Sequence, residues 1–481
     1  MEDAMSDTPA PTVTPHDLSL ILERQRAAFL RAGPPDLSRR RKDLRRLKAE
    51  ILRRRADITR ALNADFGQRS ERETAVVELI PLIQAINYLI PRLRRWMKPE
   101  RRRVSPHFQF GTAWVIHQPV GVVGIIAPWN YPVALSLVPL ATAIAAGNRA
   151  MVKPSELTPA TSAVIAEIVR AAFPPEQAAV VTGDAGLGAA FSALPFDHLL
   201  FTGSTTVGRK VAVAAAGNLT PVTLELGGKS PVVIEPGCAM GRAADRIAFG
   251  KLINGGQTCI APDYVLVHVN DQDAFVTAYQ EAVGRLYPSG FAGSPDSTAL
   301  LNRHHYERVS GLVRNAEEQG ARIIRLGPDR ADDGSGAHVL APVIVLDATP
   351  QMTVMQEEIF GPVLPVLTYR TMEEAIAFIN ARSRPLALYY FGENRALQDK
   401  VLNHTVSGNV TINGVVLHCA QDDLPFGGVG ESGIGAYHGK EGFLALTHAR
   451  GIYRQGRCNA ATFLRPPFGP FTDIITSFLL R

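Results

Sequence analysis

Cys259 stands in the run Gly255-Gly256-Gln257-Thr258-Cys259-Ile260-Ala261-Pro262-Asp263-Tyr264, between a flexible glycine approach and a rigid Ala-Pro exit. A thiol placed in this way can act as a nucleophile, since the backbone before it can turn tightly and the backbone after it is restricted. Earlier in the chain, Leu224-Glu225-Leu226-Gly227-Gly228-Lys229 sets a carboxylate at a strand end, with two glycines leaving it room to face a cleft. Glu225 is therefore a candidate general base, and burial would raise its pKa toward neutrality. The plainer alternatives are a small buried hydrophobe for the cysteine and a turn-capping surface residue for the glutamate. Cys238, Cys419 and Cys458 have no comparable setting and keep the plainer reading.

A second group of residues suits a dinucleotide. Phe201-Thr202-Gly203-Ser204-Thr205-Thr206-Val207-Gly208 follows a strand and opens a helix, so its amides and the helix N-terminus can receive a pyrophosphate, although the run is not GxGxxG. Lys153-Pro154-Ser155-Glu156 ends another strand. Asn130 lies in the turn Pro128-Trp129-Asn130-Tyr131-Pro132, and Glu357-Glu358-Ile359-Phe360-Gly361-Pro362-Val363 reads as a loop entering a strand. Leu424 to Gly435 is glycine-rich and is followed by Tyr437-His438-Gly439.

Alternating strands and helices must position these groups. Strands are expected at residues 120–126, 150–153, 179–182, 198–202 and 222–226, with helices at 134–146, 161–172 and 207–216 between them. That alternation predicts a doubly wound parallel sheet, which binds ligands at the carboxyl ends of its strands. The second half repeats it, with strands near 265–269, 343–346 and 410–412. Upstream, residues 36–64 read as a helix with Leu44, Leu47, Ile51, Ile58 and Leu62 on one stripe. A second helix is expected at 74–97, interrupted at Pro81 and Pro91. Residues 104–117, alternating around Gly111, read as a β-hairpin.

With 481 residues, 46% hydrophobic and 20% charged, the chain has the composition of a soluble globular protein of two or three domains. A formal net charge of +5 is no nucleic-acid signature, and the arginine runs at 39–41 and 53–55 are interleaved with Asp43, Glu50 and Asp57. Scattered cysteines suggest neither a disulfide framework nor a zinc site, so no metal and a reducing cytoplasm are expected. Residues 1–15 read as a loose tail without a secretory signal. No charge occurs between Gly121 and Asn148, but the Pro-Trp-Asn-Tyr-Pro turn divides that run into a strand and a core helix, so no membrane span is expected. The apolar residues between Phe468 and Leu480 are read as a subunit contact and not as an anchor.

Taken together, GGQTCIAPDY, LELGGKSP, FTGSTTVG, EEIFGPV and LPFGGVGESGIGAYHG resemble the aldehyde dehydrogenase family, in its class 3 branch, over residues 119–442. Within that branch, the stretch Leu417 to Phe426 is closest to bacterial coniferyl-aldehyde dehydrogenases. The resemblance implies an α/β fold with two doubly wound domains and an oligomerisation hairpin. It divides the chain into a nucleotide-binding domain (16–103 and 120–226), the hairpin (104–119), a catalytic domain (227–425) and a C-terminal return segment that contacts a partner (426–481). It implies Cys259 as nucleophile, Glu225 as activator of the hydrolytic water, and the Asn130 amide with the Cys259 N–H as oxyanion donors. Lys153 and Glu156 are implied at the adenosine ribose, Gly203, Ser204 and Gly208 at the pyrophosphate, Glu358 at the nicotinamide ribose, and Trp129 and Phe360 beside the cofactor.

The expected activity is oxidation of an aromatic or bulky apolar aldehyde, such as coniferaldehyde, through a thiohemiacetal and a thioester. NAD is the expected cofactor, because Glu156 would repel a 2′-phosphate, with NADP the alternative because Lys153 would attract it. A homo-oligomer is expected, a dimer by class 3 analogy. The competing readings are a CoA-acylating semialdehyde dehydrogenase, which would not need the hydrolytic Glu225, and a non-catalytic binding protein, which would not need Cys259, Glu225, Asn130 and Glu358 together. A cysteine protease would require a partner histidine in a local signature, and none is recognisable.

Overall fold

The computed structural model describes residues 14–105, 108, 110–330, 337–457 and 464–480. Most of the expected N-terminal tail, and Cys458, lie outside these residues. The end of that tail is ordered: Thr14 caps the helix Pro15–Ala32, accepting from the Asp17 N–H while the Asp17 carboxylate accepts from the Thr14 N–H.

Two doubly wound α/β sheets form the body. The first has the order Gly433–Ile434, Val222–Glu225, His198–Thr202, Val122–Ile126, Arg149–Lys153, Ala178–Val180, all parallel except the short Gly433–Ile434 edge. Chain direction across the sheet reverses beside Val122–Ile126, which creates the crevice where such sheets take ligands. Period-2 alternation sends Val123, Ile125, Val152 and Leu200 into one core, which also holds Leu137, Leu140, Ile165 and Ile168 of the helices Pro132–Ala146 and Pro159–Ala172. Val122, Met151, Leu199 and Phe201 enter another, with Leu187, Phe191 and Val211 from the helices Ala185–Ser192 and Thr205–Ala216.

The second sheet has the order Arg322–Arg325, Val343–Leu346, Val363–Tyr369, Tyr264–His268, Pro231–Ile234, Ala387–Phe391, Asn409–Ile412, with only Arg322–Arg325 antiparallel. Its central strands are buried throughout, and so read as unbroken apolar runs and not as alternating ones.

The helix expected at 36–64 is two, Leu37–Arg53 and Arg55–Phe66, broken at the non-helical Arg54; the other helical expectations hold with small changes of boundary, and the prolines behave differently from expectation. Residues 71–96 form one helical run, α at Glu71–Thr74, π at Ala75–Leu79, and α again at Ile80–Trp96. Pro81 falls where the wider π turn already breaks the i→i−4 ladder, and Pro91 sits inside the last segment without ending it. This run is long and apolar enough to cross a membrane by length and composition alone; its Leu82, Ile86, Leu89 and Leu93 are packed in the protein core.

The hairpin expected at 104–117 is not formed as read. Thr112–Pro119 is a strand, but its partners are Glu100–Arg102 on one side and, along its full length, Thr447–Arg454 on the other. Phe108 and Phe110 lie outside the strands, and 106, 107 and 109 lie outside the described residues. Gly111 forms no hairpin turn; a Cβ there would fall 2.5 Å from the hydroxyl end of the exposed Tyr453 side chain.

Candidate active site

The cysteine loop is shaped by its glycines. Asn254, Gly255 and Gly256 are consecutive left-handed residues, with φ of 55°, 61° and 79°. A Cβ on Gly255 would sit 2.6 Å from the Thr298 carbonyl oxygen, and one on Gly256 2.4 Å from the Gly361 carbonyl. The loop is then locked by Gln257, which is fully buried: its Oε1 accepts from the Leu301 N–H at 2.9 Å, and its Nε2 donates to the carbonyls of Asn254 at 2.9 Å and Ala299 at 3.0 Å. Tyr131 and Thr258 share a 2.5 Å hydroxyl contact. Cys259 follows, partly exposed. Burial pushes its thiol pKa up, and the neighbouring Glu358, Cys419 and Glu225 push it in the same direction.

Asn130 is 3% exposed, and one N–H of its side-chain amide donates to the Gln257 carbonyl at 3.1 Å. An amide nitrogen carries two donors, so the second remains for another acceptor. Glu225 ends its strand in contact with the returning C-terminal segment, where Gly433 pairs with it. It is also 3% exposed, and neither carboxylate oxygen has a partner among the described residues. Burial alone raises its pKa well above the ordinary carboxylate value.

The glycines of the C-terminal segment permit its close approach. A Cβ on Gly433 would lie 2.2 Å from the Leu224 carbonyl oxygen, and one on Gly428 2.0 Å from that of Ser432. The segment delivers Tyr437, which is buried and feels Glu225, Cys259 and Cys419.

The expected cofactor residues line the carboxyl ends of the first sheet. Lys153 ends its strand with its side chain buried, and its Nζ donates to Glu156 at 2.7 Å. Ser204 caps the helix Thr205–Ala216, accepting from Val207 N–H, behind Gly203. Gly208 lets that helix pack onto the strand end, since a Cβ there would meet Leu226 at 2.5 Å. Glu358 lies against Gly227, where a Cβ would be 1.9 Å from its Oε2. Burial and then Asp263 push its pKa up to about 8, and its Oε1 has no partner among the described residues. Phe360 adopts φ 51°, a left-handed conformation disfavoured for an aromatic residue, and meets Trp129 edge-on at 5.3 Å. An orphaned buried acceptor, a capped helix N-terminus and a glycine-lined strand end fit a nucleotide's ribose hydroxyls and pyrophosphate.

Several residues at the site carry no distinguishing mark in the sequence. Lys229 and Asp263 form a buried ion pair, from which Lys229 reaches the carbonyls of Val354 and Glu357 at 2.8 Å and Asp263 accepts from the Ile359 N–H at 2.9 Å. This pair fixes the Glu358 segment, and both members sit inside motifs already noticed for their neighbours. Arg69, in the loop between Phe66 and Glu71, and Glu73 and Glu78, in the helical run after it, lie behind the cysteine loop; nothing in their local sequence marks them as site residues. Among the described residues, no group of three His, Cys, Asp or Glu side chains could hold a metal.

A thiol beside a crevice for a dinucleotide, with a carboxylate and an amide donor close by, defines an oxidoreductase chemistry carried on a cysteine. The profile of the aldehyde dehydrogenase family matches residues 8–452, and the chain belongs to that family. It is 48% identical to a Pseudomonas aeruginosa protein described as "Probable coniferyl aldehyde dehydrogenase", covering 94% of each chain. Its fold superposes on Staphylococcus aureus AldH in a substrate-bound state with a TM-score of 0.90, at 37% identity over 95% of this chain and 99% of that one. Mycobacterium tuberculosis aldehyde dehydrogenase complexed with NAD+ gives 0.83, at 29% identity over 92% and 91%. The protein is an NAD(P)-dependent aldehyde dehydrogenase.

Proposed function

We propose that the substrate is an aromatic or bulky apolar aldehyde of the coniferaldehyde type, and that Cys259, Glu225 and Asn130 carry its oxidation. The Cys259 thiolate adds to the carbonyl carbon, and the resulting oxyanion takes hydrogen bonds from the free N–H of the Asn130 amide and from the Cys259 backbone. NAD, when bound, would supply the hydride acceptor needed for oxidation to the thioester level. Glu225 then takes a proton from water as its oxygen attacks the thioester carbon, and returns that proton to the departing Cys259 sulfur as the C–S bond breaks, releasing the carboxylic acid and restoring the thiol. The observation that carries this reading is Glu225 itself: a buried carboxyl with no hydrogen-bond partner, close enough to Cys259 to act on its charge, is what a hydrolytic base requires. The same observation favours hydrolysis over acyl transfer to CoA.

NAD is preferred to NADP in this reading because the one buried cation at the expected ribose position, Lys153, already holds Glu156. Glu358 would bind the nicotinamide ribose hydroxyls, with Phe360 and Trp129 beside the ring and Gly203, Ser204 and Gly208 at the pyrophosphate. The domain division at 226 and 425, a homodimer and a reducing cytoplasm belong to the same reading.

The substrate assignment is supported by the relative's name and by an aromatic column in the return segment. Phe426 lies between His418, at 5.9 Å and 14°, and His438, at 4.8 Å and 21°, with Tyr437 edge-on to His438. Burial holds both imidazoles near pKa 4, so they are neutral aromatic surfaces at pH 7. Burying an aryl group adds roughly 1.5–3 kcal/mol of apolar stabilisation. Coniferaldehyde, cinnamaldehyde or benzaldehyde should therefore exceed acetaldehyde in kcat/KM by at least about tenfold, which corresponds to about 1.4 kcal/mol. Equal efficiency for acetaldehyde, or preference for a charged semialdehyde, would remove the substrate assignment and leave the aldehyde dehydrogenase intact.

A further inference from the structure

Behind the cysteine loop lies an ion pair that no step above uses. The side chains of Arg69 and Glu78 are both fully buried, with Arg69 Nη2 3.5 Å from Glu78 Oε1. The guanidinium also lies 4.6 Å from the Phe66 ring centroid and 5.5 Å from that of Tyr131. A buried pair of this kind is a poor source of stability, since desolvation offsets most of its attraction. Its remaining bonds indicate another role. Arg69 Nη1 donates to the backbone carbonyl of Asn130 at 3.1 Å, and Glu78 Oε2 accepts from the Ala134 N–H at 2.6 Å.

These two bonds bracket a single turn. Tyr131, at the N-cap of Pro132–Ala146, supplies no side-chain cap, so Glu78 caps that helix from a different element. On the other side of the turn, the Asn130 carbonyl takes a second donor, Asn254 Nδ2 at 3.0 Å, from the cysteine loop itself. The Asn254 N–H in turn donates to Glu73 at 2.8 Å. Asn130 is thus held at its carbonyl by Arg69 and Asn254, and at its amide by Gln257. With those three points fixed, the direction of its free amide N–H is fixed too.

We propose that Arg69 is a positioning residue for the oxyanion donor: its hydrogen bond to the Asn130 carbonyl, braced by Glu78, sets the peptide from which the Asn130 amide reaches the reacting oxygen. The inference rests on the reading of Asn130 as that donor. Donor geometry is demanding, and a displacement of about 1 Å can cost on the order of 100-fold in rate.

The test is a double-mutant cycle on the full chain with NAD and an aromatic aldehyde. Arg69→Lys keeps a cation opposite Glu78 but replaces the planar fork with one ammonium, which does not reproduce the two-sided contact. It should lower kcat/KM by about 10- to 100-fold while changing the NAD dissociation constant by less than about twofold. Asn130→Ala should lower kcat by about 100- to 1000-fold. In that background, Arg69→Lys should change kcat/KM by less than about twofold, because the group it positions is gone. A loss of the same size in both backgrounds, or a fully active Arg69→Lys enzyme, overturns the positioning role. A fully active Asn130→Ala enzyme overturns the oxyanion assignment itself and is recognised by that single variant. Should Arg69→Lys fold poorly, Arg69→Met combined with Glu78→Gln leaves no buried charge unpaired. It should show the same loss in kcat/KM, and full activity in that variant also overturns the proposal.

Discussion

The two halves of the catalytic centre are built in opposite ways. On the cysteine side, every polar group of Gln257 is hydrogen-bonded, and Asn254, Asn130, Arg69 and Glu78 form one continuous buried network. On the other side, Glu225 ends its strand with both carboxylate oxygens bare and buried. Apart from Arg69 Nε and Asn254 Oδ1, which take no partner among the described residues, and the spare Asn130 N–H, this network is saturated, and a saturated network defines position, since each bond removes a freedom. A deprived carboxylate defines reactivity: with no partner to stabilise its charge it binds a proton more readily than an ordinary carboxylate, as a base that must take one from water requires. Glu358 stands between these extremes, with Oε2 packed on Gly227 and Oε1 free.

The sharpest way to break this contrast is Glu225→Gln, which keeps the shape and removes the base. If Glu225 serves hydrolysis, the variant should retain a pre-steady-state burst of reduced cofactor while steady-state turnover falls by about 100-fold or more. Loss of the burst would show that the carboxylate acts earlier, on the Cys259 thiol, and the division between position and reactivity would fail.

On the saturated side, Gln257→Ala should act first through stability. It leaves the Leu301 N–H and the Ala299 carbonyl buried without their partner, at about 1–3 kcal/mol for each group left unsatisfied, while the Asn254 carbonyl keeps the backbone N–H of residue 257. A lowered denaturant midpoint together with a lowered kcat is expected. An unchanged midpoint would mean that the loop is held by its glycine conformation alone.

How much of this was legible in the sequence follows the same division. Cys259, Glu225, Asn130 and Glu358 each sit beside Gly or Pro residues, whose backbone requirements leave a visible mark on the chain. The first sheet was equally readable, because long helices alternate with its strands. Arg69 and Glu78 left no mark: Arg69 stands in a short loop and Glu78 in a helical run that shows only an apolar period, and what separates Arg69 from an ordinary charged residue is its burial against Asn130, 61 positions away. The strand entered at Val363 is the one the loop at 357–363 implies, whereas Pro231–Ile234 and Ala387–Phe391 left no mark, since short unbroken apolar runs carry no period that separates buried strand from buried helix. The 104–117 alternation did report an extended strand, but nothing local indicates that its long partner is Thr447–Arg454.

The smallest effect tests the deprived side through its protons. Burial raises Glu225 well above its ordinary value, Glu358 to about 8 and Glu78 to about 7. In the unfolded chain these carboxyls would lose their protons near pH 4.5. Between that pH and about 8 the folded state therefore binds more protons than the unfolded one, and stability falls as pH rises. Their contribution is fully present below pH 4.5 and is lost progressively as pH passes through each folded value. Other groups add to the same profile, so the comparison to make is wild type against Glu225→Gln, without substrate, at pH 5.5 and pH 8. The amide carries no titrating proton, so the variant's melting temperature should drop less over that interval, by about 2–4 °C for each kcal/mol that Glu225 contributes. Parallel profiles would mean that Glu225 has a hidden partner and titrates as an ordinary carboxylate, which would remove the basis for treating it as the reactive half of the site.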